Sequence, residues 1–127
     1  MTAIARTERS RDLVTSCHLN RLGGQTASVL VKMPKPYDFE LSTTRYREFG
    51  VDVASMWHEG GLHRVVAGRE VRIEAAPGGV RVEPGDDAVV DGVRRLLGAP
   101  FDIDSFRAWA ANDDVLGHVV AGLAGFR

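Results

Sequence analysis

At 127 residues, with 44% hydrophobic and 26% charged side chains and a net charge of -1, the chain has the make-up of one globular domain with a modest core, which excludes a second complete domain, wholesale disorder and a fibrous repeat. Its longest apolar runs, Ala27 to Val31 and the surroundings of Val119 to Ala121, fall far short of the roughly 20 residues that cross a bilayer, so no membrane partner is expected. The charge is uneven: residues 1–36 hold four Arg, two Lys, Glu8 and Asp12, for +4, whereas residues 37–127 hold ten Arg and fifteen acids, for -5.

An acidic body repels phosphate backbones on average, and the basic stripe of an autonomous nucleic-acid binder is missing. Cys17 is the single cysteine, so neither an internal disulfide nor a paired-Cys metal site can form. Arg6, Arg9 and Arg11 interrupt the amino terminus, which therefore lacks the apolar stretch of a secretory signal; a reducing, cytoplasmic setting is expected.

Residues 1–36 show no sustained period and are expected to form a poorly ordered basic segment, with one added edge strand at Ala27 to Val31. Pro34 and Pro36 bracket an extended connector, and the main domain is expected from Tyr37. Asp38-Phe39-Glu40-Leu41-Ser42 alternates polar and apolar, which predicts a strand, as does Val51 to Trp57. Leu62 to Val66 continues after a Gly60-Gly61 turn. Val71-Arg72-Ile73-Glu74 and Val80-Arg81-Val82-Glu83 form the cleanest pair, joined through Pro77-Gly78-Gly79. A curled antiparallel sheet follows.

After Pro84 the period changes to about 3.6. Asp86 or Asp87 can cap a helix whose stripe is Val89, Val90, Val93, Leu96 and Leu97, with Arg94 and Arg95 in its last turn and Gly98 beyond its end. Asp102 or Asp104 can cap a second helix carrying Ile103, Phe106, Trp109 and Ala110. Asn112-Asp113-Asp114 breaks the pattern, and Val115, Leu116, Val119, Val120 and Leu123 define a third helix. The expected class is α+β, an antiparallel sheet packed by a helix and followed by two carboxy-terminal helices.

Few residues carry chemistry. His58, Glu59 and His63 lie close in sequence, but a spacing of five with intervening glycines is not the His-Glu-x-x-His of a helical zinc site, and no metal is expected there. Cys17-His18 lacks the geometry of a nucleophile with its base. Arg45, Tyr46 and Arg47 form a basic-aromatic cluster suited to touching a phosphate or stacking on a base; the competing reading is a solvated strand end beside Glu48. Trp57 and Trp109, by their spacing with Met56 and with Phe106 and Ala110, are expected in the core rather than as stacking platforms. Gly78-Gly79 has neither the Lys-Ser/Thr pair nor the following helix of a phosphate loop.

The stretches Trp57-His58-Glu59-Gly60-Gly61-Leu62-His63-Arg64-Val65-Val66 and Phe101-Asp102-Ile103-Asp104-Ser105-Phe106, with the helix start Asp114-Val115-Leu116, resemble the amino-terminal domain of the DNA-3-methyladenine glycosylase II and 8-oxoguanine DNA glycosylase family of helix-hairpin-helix glycosylases. The resemblance runs from Tyr37 onward. It implies a twisted sheet similar to half of a TATA-binding protein over residues 37–100, and helices in 101–127 that lead into a helical catalytic domain. In the family that domain flips a damaged purine into a pocket, and it carries the catalytic Asp, in some members a Schiff-base Lys, and a Gly-rich hairpin on the DNA phosphates. None of these parts can be matched here, since the only lysines are Lys32 and Lys35. The expectation is a non-catalytic domain of a DNA-repair glycosylase, with no catalytic residue, no cofactor and no metal. Damaged duplex DNA would then be a partner only in a full-length protein, DNA binding alone would be weak or absent, and a helical domain would be the other partner. The alternative is a stand-alone protein-interaction module that uses the apolar face of helices 103–126; an enzyme built on unrecognised residues is a third reading.

Overall fold

The computed structural model describes residues 27–49 and 52–127. Five strands, β1 (Val29–Lys32), β2 (Ser55–His58), β3 (Gly61–Val66), β4 (Arg69–Ala76) and β5 (Gly79–Glu83), form one sheet in the order β1-β5-β4-β3-β2. Every pairing is antiparallel. Four helices complete the α+β fold: α1 (Phe39–Glu48), α2 (Asp87–Leu96), α3 (Ile103–Ala110) and α4 (Asp114–Gly122).

The strands from β2 to β5 are a meander, and their turns follow from backbone chemistry. Glu59 and Gly60 both adopt positive φ, at 47° and 76°, as a two-residue hairpin that matches strand twist requires. The expected Gly60-Gly61 turn thus lies one residue earlier, and Gly61 opens β3. Between β4 and β5, Pro77 fixes its own φ and Gly78 supplies φ 77°.

Register sets the two faces apart. Val29, Val82, Ile73, Leu62 and Trp57 line up across all five strands, and successive side chains alternate between faces. Val29, Val31, Val71, Ile73, Val80, Val82, Leu62 and Val66 make the buried face. Both α1 and α2 cover it: α1 places Phe39 against Trp57, with ring centroids 5.9 Å apart, and α2 buries Val89 and Val93. The opposite face is polar, with Arg72 bonded to Glu74 and to the Glu59 carbonyl.

The expected strand at Asp38 to Ser42 is instead the first turn of α1. The Asp38 carboxylate accepts from the Leu41 amide at 2.9 Å, an N-cap that closes the turn. Phe39, Ser42, Thr43 and Tyr46 then fall on one helical stripe facing the sheet. Thr43 is fully buried, with its hydroxyl donating to the Phe39 carbonyl at 2.6 Å. Of the strand expected over Val51 to Trp57, Val51 lies outside the described residues and Asp52 to Ala54 fall short of the strand. Asp52 and Ser55 form an isolated bridge across a turn, and the strand runs from Ser55.

The core reaches back before Tyr37. The added edge strand is present as β1, paired with β5, and Val29, Val31 and Met33 are each at most 5% exposed. Residues 29–33 therefore belong to the same packed body as the meander. Cys17 and His18 lie outside the described residues.

Helix α2 has the caps its sequence announces: Asp86 accepts from the Val89 amide at 3.0 Å, and Gly98 follows the helix end with φ 73°. Arg94 reaches the Lys32 carbonyl at 3.1 Å and ties the helix to β1. Asp102 caps α3 and Asp113 caps α4. The Ser105 hydroxyl and amide both bond the Asp102 carboxylate and hold its pKa below the usual range. These two helices pack on each other more than on the sheet, and α4 has no buried residue. Among the described residues no helix is long and apolar enough to cross a membrane.

Candidate nucleic-acid interface

The residues singled out as DNA contacts sit on the last two turns of α1, where a helix and not a strand end positions them. A helix spreads Arg45, Tyr46 and Arg47 around its axis by roughly 100° per residue. Tyr46 turns in toward the sheet, half-buried against the core. Arg45 stays exposed and folds its guanidinium over the Tyr46 ring, 4.7 Å from the centroid, while donating to the Tyr46 hydroxyl at 2.6 Å.

Arg47 takes a different path. Its guanidinium lies 5.0 Å from the Trp57 ring centroid and is paired with the Glu40 carboxylate at 2.5 Å. It also donates to the Thr44 hydroxyl at 3.3 Å. Its charge is therefore spent inside the protein.

A residue the sequence reading passed over completes the cluster. Arg64 of β3 lies between Leu62 and Val66, both of which face the core, so alternation puts Arg64 on that side too. It is half-buried, 5.7 Å from the Tyr46 ring centroid, and donates to the Ser55 hydroxyl at 2.7 Å. Ser55 is itself buried. The signal for Arg64 was in the sequence: a charged residue at a strand position where both alternate neighbours are apolar.

Among the described residues neither Arg45 nor Arg64 makes a salt bridge to a carboxylate. Asp52 borders the adjoining cleft of about 370 Å³ but accepts from the Ala54 amide at 2.9 Å. Glu70, on the same cleft, is 3.8 Å from His63. The arrangement offers two cations stacked on one aromatic ring, with most of their donor hydrogens directed at no protein acceptor.

The other sequence candidates assemble less. His58 and His63 do meet on the open face, with ring centroids 6.0 Å apart. His58 approaches Glu59 at 3.6 Å and His63 approaches Glu70 at 3.8 Å. Among the described residues no group of three or more His, Cys, Asp or Glu side chains is placed to hold a metal ion. Trp57 packs on the core as expected, but Trp109 does not: it is 63% exposed, and within α3 only Ala110 is buried. Its stripe is real, with Phe101, Phe106 and Trp109 in successive ring contacts at 6.2 and 5.9 Å, yet none of the described residues covers it. Met56 is likewise 54% exposed, because it lies on the open face.

A larger cleft, about 590 Å³, opens between the β4–β5 hairpin and the start of α1, lined by Met33, Lys35, Tyr37, Phe39 and Ala76 among others. The Tyr37 hydroxyl is buried with no hydrogen-bond partner among the described residues. Burial pushes its pKa above the ordinary phenol range.

Comparison with known proteins adds no relative: no family model matches the chain, and neither the curated proteins nor the solved structures contain a match.

Proposed function

We propose that this chain is the non-catalytic amino-terminal domain of a DNA base-excision-repair glycosylase of the 3-methyladenine/8-oxoguanine type, acting in the reducing cytoplasm by docking a helical domain on the α3–α4 pair. The observation that carries this reading is α4. Between Val115 and Phe126 the chain has no Asp, Glu, Lys or Arg, yet no residue of α4 is buried. A helix apolar on all sides is normally a buried helix. Phe101, Phe106, Trp109, Val115, Leu116, Val119, Leu123 and Phe126 are all exposed by more than a third, and covering a large apolar side chain is worth about 1.5–3 kcal/mol. Exposed apolar surface of this extent marks an interaction site.

The resemblance supplies the partner's identity, since in the resembled enzymes the segment from Ile103 enters the helical domain. Catalytic groups would come from that domain. The chain alone is catalytically silent and binds DNA only weakly and without selectivity, and damaged duplex DNA is engaged when both parts are present.

Hydrogen exchange tests the reading. Amides of 103–127 should exchange fast relative to those of β4 and β5, and should slow when the helical domain of such a glycosylase is added in trans. Val119→Lys, at an exposed position, should abolish that slowing and leave the sheet unchanged. Equal protection of α4 and the sheet in a dilute monomer would refute docking. The same α3–α4 surface also supports a stand-alone interaction module, which gains ground if the glycosylase domain gives no protection.

A further inference from the structure

We infer that Arg45 and Arg64, stacked on Tyr46, form a contact for the phosphodiester backbone of a nucleic-acid strand. The inference deepens the proposed function by naming where the domain would touch DNA, and it rests on that reading only for the identity of the strand.

The argument begins with the cost of Arg64. A guanidinium drawn half out of water on the core side of a sheet loses hydration, and such charges are normally compensated by a carboxylate. Arg64 has instead one neutral acceptor, the Ser55 hydroxyl at 2.7 Å, and the face of Tyr46 at 5.7 Å. Arg45 is brought to the same ring, 4.7 Å from its centroid, also without a carboxylate. The two guanidinium carbons can be no farther apart than the sum of those distances. Two like charges held together without an acid repel, and the pair is poised for an anion from outside.

The forks themselves take carboxylate and phosphate alike, and it is the aromatic rings beside them that point to a nucleic-acid strand. Guanidinium forks match phosphate oxygens bidentately, and two forks within that span can each take a phosphate along a strand. The Tyr46 ring serves both guanidiniums, and the Trp57 ring serves Arg47 of the same helix. Aromatic rings interleaved with arginines are the usual furniture of a surface that follows a nucleic-acid backbone. The Glu40–Arg47 pair explains why Arg47 is not the second grip. Glu48, next along α1, makes no salt bridge to either arginine. In a chain of net charge -1 the contact would be local and weak, adding to a grip made elsewhere rather than replacing it.

The test is fluorescence anisotropy of the full chain with a labelled undamaged duplex over a series of salt concentrations, comparing the unmodified protein with Arg45→Gln, Arg64→Gln and the double variant. Each phosphate contact contributes about 0.9 to the slope of log affinity against log salt. Each single variant should lower the slope by about that amount, and the double variant by about twice it. Arg81→Gln, an exposed arginine on the open face, should leave it unchanged. Arg45→Gln keeps the test decisive if loss of the Arg64–Ser55 bond unfolds its variant. Unchanged slopes in Arg45→Gln, an equal loss in Arg81→Gln, or no detectable duplex binding would each overturn the inference. Competition separates the sources of phosphate. Displacement by unlabelled duplex at far lower phosphate concentration than inorganic phosphate or phosphatidylserine vesicles is expected, and equal displacement by either would overturn the nucleic-acid assignment. Failure of the α3–α4 docking experiment leaves these measurements intact, so the two readings fall separately.

Discussion

Removing residues 1–36 should unfold the domain, although the sequence pattern places the domain start at Tyr37. Val29, Val31 and Met33 are at most 5% exposed, and each fully buried side chain of this kind is worth about 1.5–3 kcal/mol. The three together bring roughly 4–9 kcal/mol, reduced by about 10–40% because a real unfolded chain already hides part of that surface. Small domains have only about 5–15 kcal/mol in total, so a chain of residues 37–127 is left marginal or unfolded. Strand β5 would also lose its neighbour and expose Val80 and Val82 at a bare edge. A point substitution reaches the same interface: a Cβ added to Gly79 would run into the Val31 carbonyl, with the carbonyl carbon at 2.9 Å. Backbone cannot swing aside as a side-chain tip can, so Gly79→Ala should strip β1 from the sheet. Urea unfolding followed by far-UV circular dichroism reads both variants. A cooperative transition for residues 37–127 at the midpoint of the full chain would refute the assignment of β1 to the core.

A Cβ on Gly92 of α2 would strike the Val66 methyl, so Gly92→Ala should cost stability by about 1 kcal/mol despite gaining about 1 kcal/mol of helix propensity, since overpacking costs about 1–3; Val66→Ala should relieve part of the loss in a double-mutant cycle by urea unfolding. Burial raises the Tyr37 phenol above the ordinary phenol value of about 10, so above that pH the unfolded chain gives up a proton that the native chain keeps. Stability should be intact below pH 10 and fall as pH rises beyond it, and Tyr37→Phe should flatten that fall in pH-dependent thermal scans. Incubated with duplexes carrying alkylated or oxidised purines, the purified chain should release no base above buffer, and release that a substitution in this chain abolishes would show it to be an enzyme.

The sequence was most readable where one residue type does one job. In α2 the stripe from Val89 to Leu97, the Asp86 cap and Gly98 all point the same way, and the helix lies where they indicate. The β4–β5 hairpin was equally plain, because valine and isoleucine alternate with charges on both sides of a Pro-Gly turn. Helix α1 was hidden because its inward stripe is half polar. Phe39 and Tyr46 are apolar anchors, but Ser42 and Thr43 between them are buried only because their hydroxyls have local partners, Ser42 with the Gly125 carbonyl at 3.3 Å and Thr43 within its own helix. Periodicity counts such residues as polar and sees an alternating strand. Tertiary context is also what recruits Arg64 to Tyr46, eighteen positions earlier; the strand pattern marks Arg64 as misplaced without saying beside what. Trp109 was misassigned for the opposite reason: an apolar stripe reports that a face seeks cover, and among the described residues nothing supplies it.

The two proposed surfaces are joined by α1. At its start, the Gly125 carbonyl beyond α4 accepts from the Asp38 amide at 2.8 Å, and the Arg127 amide bonds the Ser42 hydroxyl at 3.1 Å. Arg127 also reaches the Gly98 and Phe101 carbonyls at 3.1 Å, so the end of α4, the approach to α3 and the first turn of α1 are clasped together. Toward the other end of α1, seven and eight residues from Asp38 and so roughly 11–12 Å along the axis, stand Arg45 and Tyr46. A domain docked on α3–α4 would therefore lie beside the arginine pair, and a duplex held by that domain could reach Arg45 and Arg64 without any rearrangement of the sheet. Adding two weak contacts to one ligand converts the second into an intramolecular step. The expected outcome is that a glycosylase helical domain in trans with this chain binds a labelled duplex more tightly than either part alone, and that Arg45→Gln with Arg64→Gln removes most of the gain while leaving the docking protection of α4 in place. A gain that survives the loss of both arginines would mean that the domain supports its partner without touching the DNA.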